Sequence, residues 1–418
     1  MEMTNKRKGI TLFTICSFFI GLGAGAANAQ TPMEELGEFL YFDENLSEPA
    51  GQSCASCHLP RTGFDEPDEE FPVSEGVIPG EFGGRNSPIS AYAMYSPIFH
   101  YDGELYVGGA FWDGRATGEV LGDPLADQAL GPFLNPVEMA NPSKQHVIDD
   151  IKVSEYAALF EQVWGPGSLD DTEAAYDQVA LSIAAFERTV IFGQFTSKYD
   201  YYLEQCLEAL APVNDEIRAA CATGSTPDAL AIAEGIFTQN ELRGFILFMG
   251  ENNNDGFLDP GEGAMCSACH IAEWTQPTDD SNKVVVPDWA DGFIPPLFSD
   301  FTYDNLGVPK SKNRLLAKNP PDLGLGVVTT DPDDYGKFKV MPLRGLKESG
   351  PYAHNGFFDE LDEIVNFYNT RDVGTWKDPE YPATINTSEL GNLGLSPDDE
   401  GALVQFMKTL SDGFFTPE

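Results

Sequence analysis

The chain has 418 residues with 67 acidic and 24 basic side chains, a formal net charge of −43. Such an excess of carboxylates excludes binding to nucleic acid or anionic lipid through the protein's own surface. It leaves two explanations open: steering of a basic redox partner, and solubility in a salty habitat that would screen such steering.

Residues 1–29 carry the pattern of a cleaved export signal. Lys6, Arg7 and Lys8 form a positive start, Ile10 to Leu22 is apolar, and Ala27-Asn28-Ala29 is a small-residue cleavage site. A membrane anchor is the alternative, but the apolar stretch is short for a span and diluted by glycine and alanine. No later segment is long and apolar enough to cross a bilayer, so no membrane span is expected after cleavage. Removing residues 1–29 strips three cations and one acid, leaving 389 residues with a net charge of −45. The expected product is a periplasmic protein of two ordinary-sized domains.

Cys-x-x-Cys-His occurs twice, as Cys54-Ala55-Ser56-Cys57-His58 and as Cys266-Ser267-Ala268-Cys269-His270. This is the attachment sequence of a c-type haem. Two thiols one helical turn apart reach the two vinyl groups of one porphyrin, and the adjacent histidine reaches its iron. A single zinc bound by two Cys-x-x-Cys pairs is the rival. The histidine after each pair, the separation of more than 200 residues and the export signal oppose it. Two c-type haems imply redox work. Cys206 and Cys221 remain, and in an oxidising compartment they are expected to pair; two free buried thiols are the alternative.

Helical periodicity appears at Tyr176 to Val190, Asp228 to Phe248, Leu361 to Tyr368 and Asp398 to Leu410. Ser396, Pro397 and Asp399 form a capping arrangement for the last of these. Long Gly-, Pro- and Asp-rich loops lie between, with no clear run of strands. The expected fold is therefore mainly α: two cytochrome c-like domains, each wrapping one covalently bound haem, with long loops. The expected boundaries are 30–222 and 226–418, joined by a linker at 222–227.

From Leu36-Gly37-Glu38-Phe39-Leu40-Tyr41 onward, the chain resembles the bacterial di-haem cytochrome c peroxidase and MauG family. The resemblance rests on Arg85-Asn86-Ser87-Pro88, Phe111-Trp112-Asp113-Gly114-Arg115-Ala116, Gln128 and Gly131-Pro132-Phe133-Leu134-Asn135-Pro136-Val137-Glu138-Met139. It continues through Leu343-Arg344-Gly345 and Gly350-Pro351-Tyr352-Ala353-His354-Asn355-Gly356. About six extra residues around Val120 to Asp127 depart from the pattern.

The resemblance implies a peroxide-reacting first haem with His58 as proximal ligand. Glu138 would be the distal acid and base, Gln128 would line the same pocket, and Pro132 would sit over the iron. Many family peroxidases block this iron with a histidine from the loop before Arg85. Residues 59–85 here contain no histidine, methionine or lysine, so the first iron is expected to be open without prior reduction.

The second haem, with His270 as proximal ligand, would relay or store electrons. Family peroxidases place a methionine where Ala353 stands, so Tyr352, Met341 and His354 are the candidates for its sixth ligand. Loss of a thioether lowers the potential of such a haem. Trp112 would lie between the two haems. An interhaem calcium would take Asn86 and the carbonyls of Thr330 and Pro332. The stretch 251–262 has the oxygen-ligand spacing of an EF-hand loop, with Glu251 at its first position and Pro260 near its exit; a polar turn is the alternative.

The leading expectation is a periplasmic peroxidase. It would reduce hydrogen peroxide at the first haem with electrons from a small cytochrome c or cupredoxin, relayed through the second. The alternatives are a MauG-like oxidase acting on a residue of a partner protein and a non-catalytic di-haem electron carrier. The resemblance also admits a homodimer, whose interface the sequence does not reveal.

Overall fold

The computed structural model describes residues 29–67, 71–252, 258–259, 261–277 and 284–414. The expected export signal therefore lies outside the described residues, apart from its last position. Thirteen α-helices appear among the described residues. The first six are α1 (Pro32–Phe42), α2 (Cys54–Cys57), α3 (Pro124–Ala129), α4 (Lys144–Val153), α5 (Ala157–Trp164) and α6 (Thr172–Glu187). Next come α7 (Lys198–Ala209), α8 (Asp215–Thr223), α9 (Pro227–Ile236) and α10 (Gln239–Met249). The last are α11 (Gly326–Thr329), α12 (Leu361–Thr370) and α13 (Pro397–Lys408). Among the described residues, strands are confined to two short antiparallel pairs, β1 (His100–Tyr101) with β2 (Tyr106–Val107) and β3 (Tyr303–Asp304) with β4 (Phe338–Lys339). None of these helices is long and apolar enough to cross a membrane.

The same helix crossing builds both halves. Thr31 caps α1 and Thr238 caps α10, each in a Thr-x-x-Glu box that satisfies two backbone N–H groups. Six residues after each cap stands a glycine. A Cβ on Gly37 would lie 2.0 Å from the Ser182 carbonyl in α6; one on Gly244 would lie 2.0 Å from the Ala402 carbonyl in α13. Only glycine lets the two backbones touch in this way. Phe186 and Phe406, four residues further along each partner helix, close over the same glycines and are fully buried.

Each crossing anchors an apolar core. The first holds α1, α3, α4 and α6 side chains, from Leu36 to Phe195, and borrows Ile294, Leu297 and Phe301. The second runs from Tyr199 through α7 to α10 and takes α12 and α13. The cores thus part between Phe195 and Tyr199. Residues 222–227, expected as the linker, are instead a tight corner inside the second core: Gly224 ends α8 in the left-handed region and Thr226 caps α9. Cys206 and Cys221 are disulfide-bonded and tie α7 to α8. The periodic stretch from Asp228 to Phe248 is two helices, broken where Thr238 caps α10.

Candidate active site

Two cavities open on facing sides of a common wall. The first has a volume of 480 Å³ and carries Cys54, Cys57 and His58; the second has a volume of 180 Å³ and carries Cys266, Cys269 and His270. In both motifs the histidine N–H donates to the carbonyl of the first cysteine at 3.0 Å, so one turn presents two thiols and an imidazole together.

This donor set fits a covalently held haem. The four motif cysteines are free while Cys206 and Cys221 are bonded. Burial pushes the thiols of Cys57, Cys266 and Cys269 up to about 12. The two pairs line separate cavities and do not form one tetrahedral site. Burial lowers His58 to about 4 and lowers His270 as well, which keeps both imidazoles neutral, the form that ligates iron. His270 Nδ1 lies 2.8 Å from the Phe298 carbonyl, leaving Nε2 for a metal. His58 Nδ1 lies beside the Phe64 backbone without hydrogen-bond geometry.

Gln128, Pro132 and Glu138 share the first cavity with His58. Pro132 starts the short turn that leads to Glu138, and the Glu138 carbonyl accepts from Val77 N at 2.8 Å, which fixes the loop. Asn135 donates its side-chain amide to Glu138 Oε1 at 2.7 Å. Burial raises the Glu138 pKa, while Arg115 and the Asn135 hydrogen bond oppose that rise. Arg115 stacks 3.7 Å over Phe111 and pairs with Asp113 at 3.0 Å. Nothing in the local pattern marked Arg115 as part of this electrostatic setting, because its relation to Glu138 arises only in the fold. Glu187 of α6 is a further carboxyl on the lining, buried, with Oε2 lacking a partner. The inserted stretch is held down by Asp127, whose carboxylate accepts from the N–H groups of Gly118, Val120 and Leu121 at 2.8–3.2 Å. His58 is the only histidine on this lining; Met139, Lys339 and Met341 also reach it.

Trp112 lines both cavities, as do Asn86, Lys339 and Met341. Its indole N–H donates to the Asn86 carbonyl at 2.9 Å, and its own carbonyl accepts from Lys339 N at 2.9 Å. Met341, Tyr352 and His354 all line the second cavity. Tyr352 donates its hydroxyl to the Leu346 carbonyl at 3.1 Å. His354 stacks at 3.6 Å on Phe338, with Nε2 3.4 Å from Glu380. Tyr368 of α12, not anticipated, also lines this cavity. Ligand atoms of Cys269, Asp304 and Glu389 lie within 4.8 Å of one another at its edge.

The expected calcium ligands are not brought together at either cavity. Asn86 is on the shared wall, whereas Thr330 and Pro332 sit on an exposed turn and line neither cavity. In the EF-hand-like stretch, residues 253–257 and Pro260 lie outside the described residues. Asn252 at its second position donates to the carbonyls of Gly263 and Leu393 at 2.7 and 3.2 Å.

Residues 31–207 match the family description "di-haem cytochrome c peroxidase". The chain is 32% identical to the methylamine utilization protein MauG of Paracoccus denitrificans, over 94% of this chain and 93% of that one. This chain belongs to the di-haem cytochrome c peroxidase and MauG family. It is also 27% identical to the cytochrome-c peroxidase IdrP2 of Denitromonas iodatirespirans, over 93% of this chain and 83% of the relative. Among solved structures, the diheme peroxidase BthA of Burkholderia thailandensis is similar with a TM-score of 0.68 and 28% identity, covering 92% of this chain and 86% of that one. Membership makes this protein a haem-dependent oxidoreductase, and the di-haem family implies two c-type haems. It also bears out the expected cytochrome c-like, mainly helical architecture.

Proposed function

We propose that this protein is an exported, periplasmic enzyme that reduces hydrogen peroxide at the first haem, without needing that haem to be unblocked first. The observation that carries the reading is the first cavity itself: Glu138 lies with Gln128 and Pro132 on the lining, and His58 is the only histidine there. A bound haem iron supplies the site where peroxide coordinates and gives up two oxidising equivalents. The chain's residues supply the proton traffic. Glu138, as carboxylate, takes the proton from the inner peroxide oxygen and returns it to the outer one, which leaves as water. Asn135 holds Glu138 Oε1 in place for that transfer. The net reaction consumes two electrons and two protons per peroxide and releases two waters.

Trp112 would carry an electron or hole between the haems, a role supported by its presence on the linings of both cavities. Electrons would come from a small cytochrome c or cupredoxin. The disulfide between Cys206 and Cys221 suits an oxidising compartment, as the export signal does. Interhaem calcium at Asn86 remains part of the proposal, with Thr330 and Pro332 as its less favourably placed donors.

A second reading draws on the second cavity. Ala353 stands where family peroxidases have methionine, and Asp304 and Glu389 bring carboxylates beside Cys269. Negative charge there favours the ferric state and a low potential, which suits sharing an oxidising equivalent and using it on a residue of a partner protein, as a MauG-like oxidase would. Glu138→Gln separates both readings from a passive electron carrier. The variant is expected to bind two haems and to react with peroxide about 10²–10⁴-fold more slowly. Full activity in that variant would remove Glu138 from the reaction.

A further inference from the structure

Four cations among the described residues are buried: Arg218, Lys339, Arg344 and Arg371. Three meet carboxylates. Arg218 pairs with Asp215 and Asp291, Arg344 with Asp200, and Arg371 with Asp372. Lys339 differs. Its ammonium contacts only the Ser96 hydroxyl and the Gly109 carbonyl, and lies 5.4 Å from the centre of the Phe301 ring. No carboxylate of the described residues forms an ion pair with it. A chain with 67 acidic side chains did not place one here.

A buried ammonium with neutral partners only is costly, and nature's usual remedy is an anion. The position of Lys339 says where that anion comes from. Ser96, Gly109 and Lys339 all line the first cavity, and Lys339 reaches the wall shared with the second. A haem carries two propionate carboxylates of its own. Ser96 Oγ and the Gly109 carbonyl take two of the three ammonium hydrogens, which leaves one to donate.

We infer that Lys339 is the counter-ion of a propionate of the first haem, held at the wall between the two haem cavities. Its positive charge then stabilises the reduced form of the first haem. Asp304 and Glu389, beside Cys269, act in the opposite sense on the second. Lys339 therefore acts as a positioning residue that helps separate the two haems in potential. Because its backbone N–H holds the Trp112 carbonyl, it also ties that charge to the indole on the same wall. The inference rests on haem in both cavities, and not on which reductant or partner the enzyme uses.

The test uses the full holoprotein, with two haems per chain established first by the pyridine haemochrome spectrum, so that a missing haem is told apart from a missing contact. Spectroelectrochemical titration of Lys339→Met should show the first haem's midpoint potential shifted downward and the second moved less. Resonance Raman of the wild type should show a propionate bending band that shifts on H/D exchange, and Lys339→Met should lose that shift. Unchanged potentials in a fully haem-loaded Lys339→Met, or a larger shift at the second haem, would overturn the inference. So would a wild-type propionate band insensitive to deuterium, a result that stands even where the variant fails to load haem.

Discussion

Two carboxyls on the first cavity behave differently, and pH separates them. Glu138 must be ionised to take a proton from peroxide. Burial raises its pKa and Arg115 works against that rise. The rate of peroxide reaction should therefore fall as pH drops through a value above the ordinary 4.5 of a glutamate. Arg115→Leu removes the opposing cation, so the acid limb of the pH–rate profile should move to still higher pH. A limb that stays put or moves down would show that Arg115 does not set this group. Glu187 has no cation strong enough to offset its burial and is pushed up to about 8. Its folded state holds a proton that the unfolded chain releases near 4.5, so its contribution is fully present below that value and is lost as pH rises to about 8. Glu187→Gln lacks this loss. Thermal unfolding of the two holoproteins should show the variant gaining on the wild type between pH 5 and 8, and a constant gap would refute the assignment. The haem motifs were legible because covalent attachment requires contiguous residues. The setting of Glu138 was only half legible: Asn135 lies within its own segment, but Arg115 acts on it from elsewhere in the fold.

At the scale of elements, the α10–α13 crossing makes opposite demands on the two glycines of its helix pair. A methyl on Gly244 of α10 would enter the Ala402 carbonyl, whereas one on Gly401 of α13 meets nothing within 4 Å. Gly244→Ala should cost about 1–3 kcal/mol through overpacking. Gly401→Ala should add about 0.5–1 kcal/mol by removing backbone freedom from the unfolded chain. Denaturant titration of both variants checks the sign of each. Replacing Cys206 and Cys221 by serine opens a loop of 15 residues and should cost about 3 kcal/mol. Period 3.6 revealed α6, α12 and α13, and the Ser396 capping box is formed as read. It did not divide α9 from α10, since the apolar pattern runs on through Phe237 while the chain turns at Thr238. Nor did it find α1 as a helix. The shared Thr-x-x-Glu box and the glycine six residues on from each cap, in α1 and α10 alike, was the signal that could have shown the repeat.

A buried ion pair of the second half stands where the two cores meet. Arg344 meets Asp200 at 2.7 Å and donates to the Pro296 carbonyl at 2.6 Å, enclosed by Tyr92 and Phe195 from one side and Tyr199 and Phe298 from the other. Asp200→Asn leaves that guanidinium without its anion and should cost about 3–5 kcal/mol. The Arg344–Asp200 link belongs to α7, which the linker expected at 222–227 would have assigned to the other half. Composition and punctuation pointed to that linker, while the parting of the apolar cores between Phe195 and Tyr199 depends on which core each aromatic ring enters, information that no local window holds.

The central claim is that the first haem meets peroxide without activation. Fully ferric holoprotein mixed with one equivalent of hydrogen peroxide in a stopped flow tests it most directly. The account predicts a fast change in the haem spectrum with no electron supplied beforehand. No change until one electron is added would contradict it, and would mean that a side chain such as Met139 or Met341 of the same lining closes the first iron in the oxidised protein.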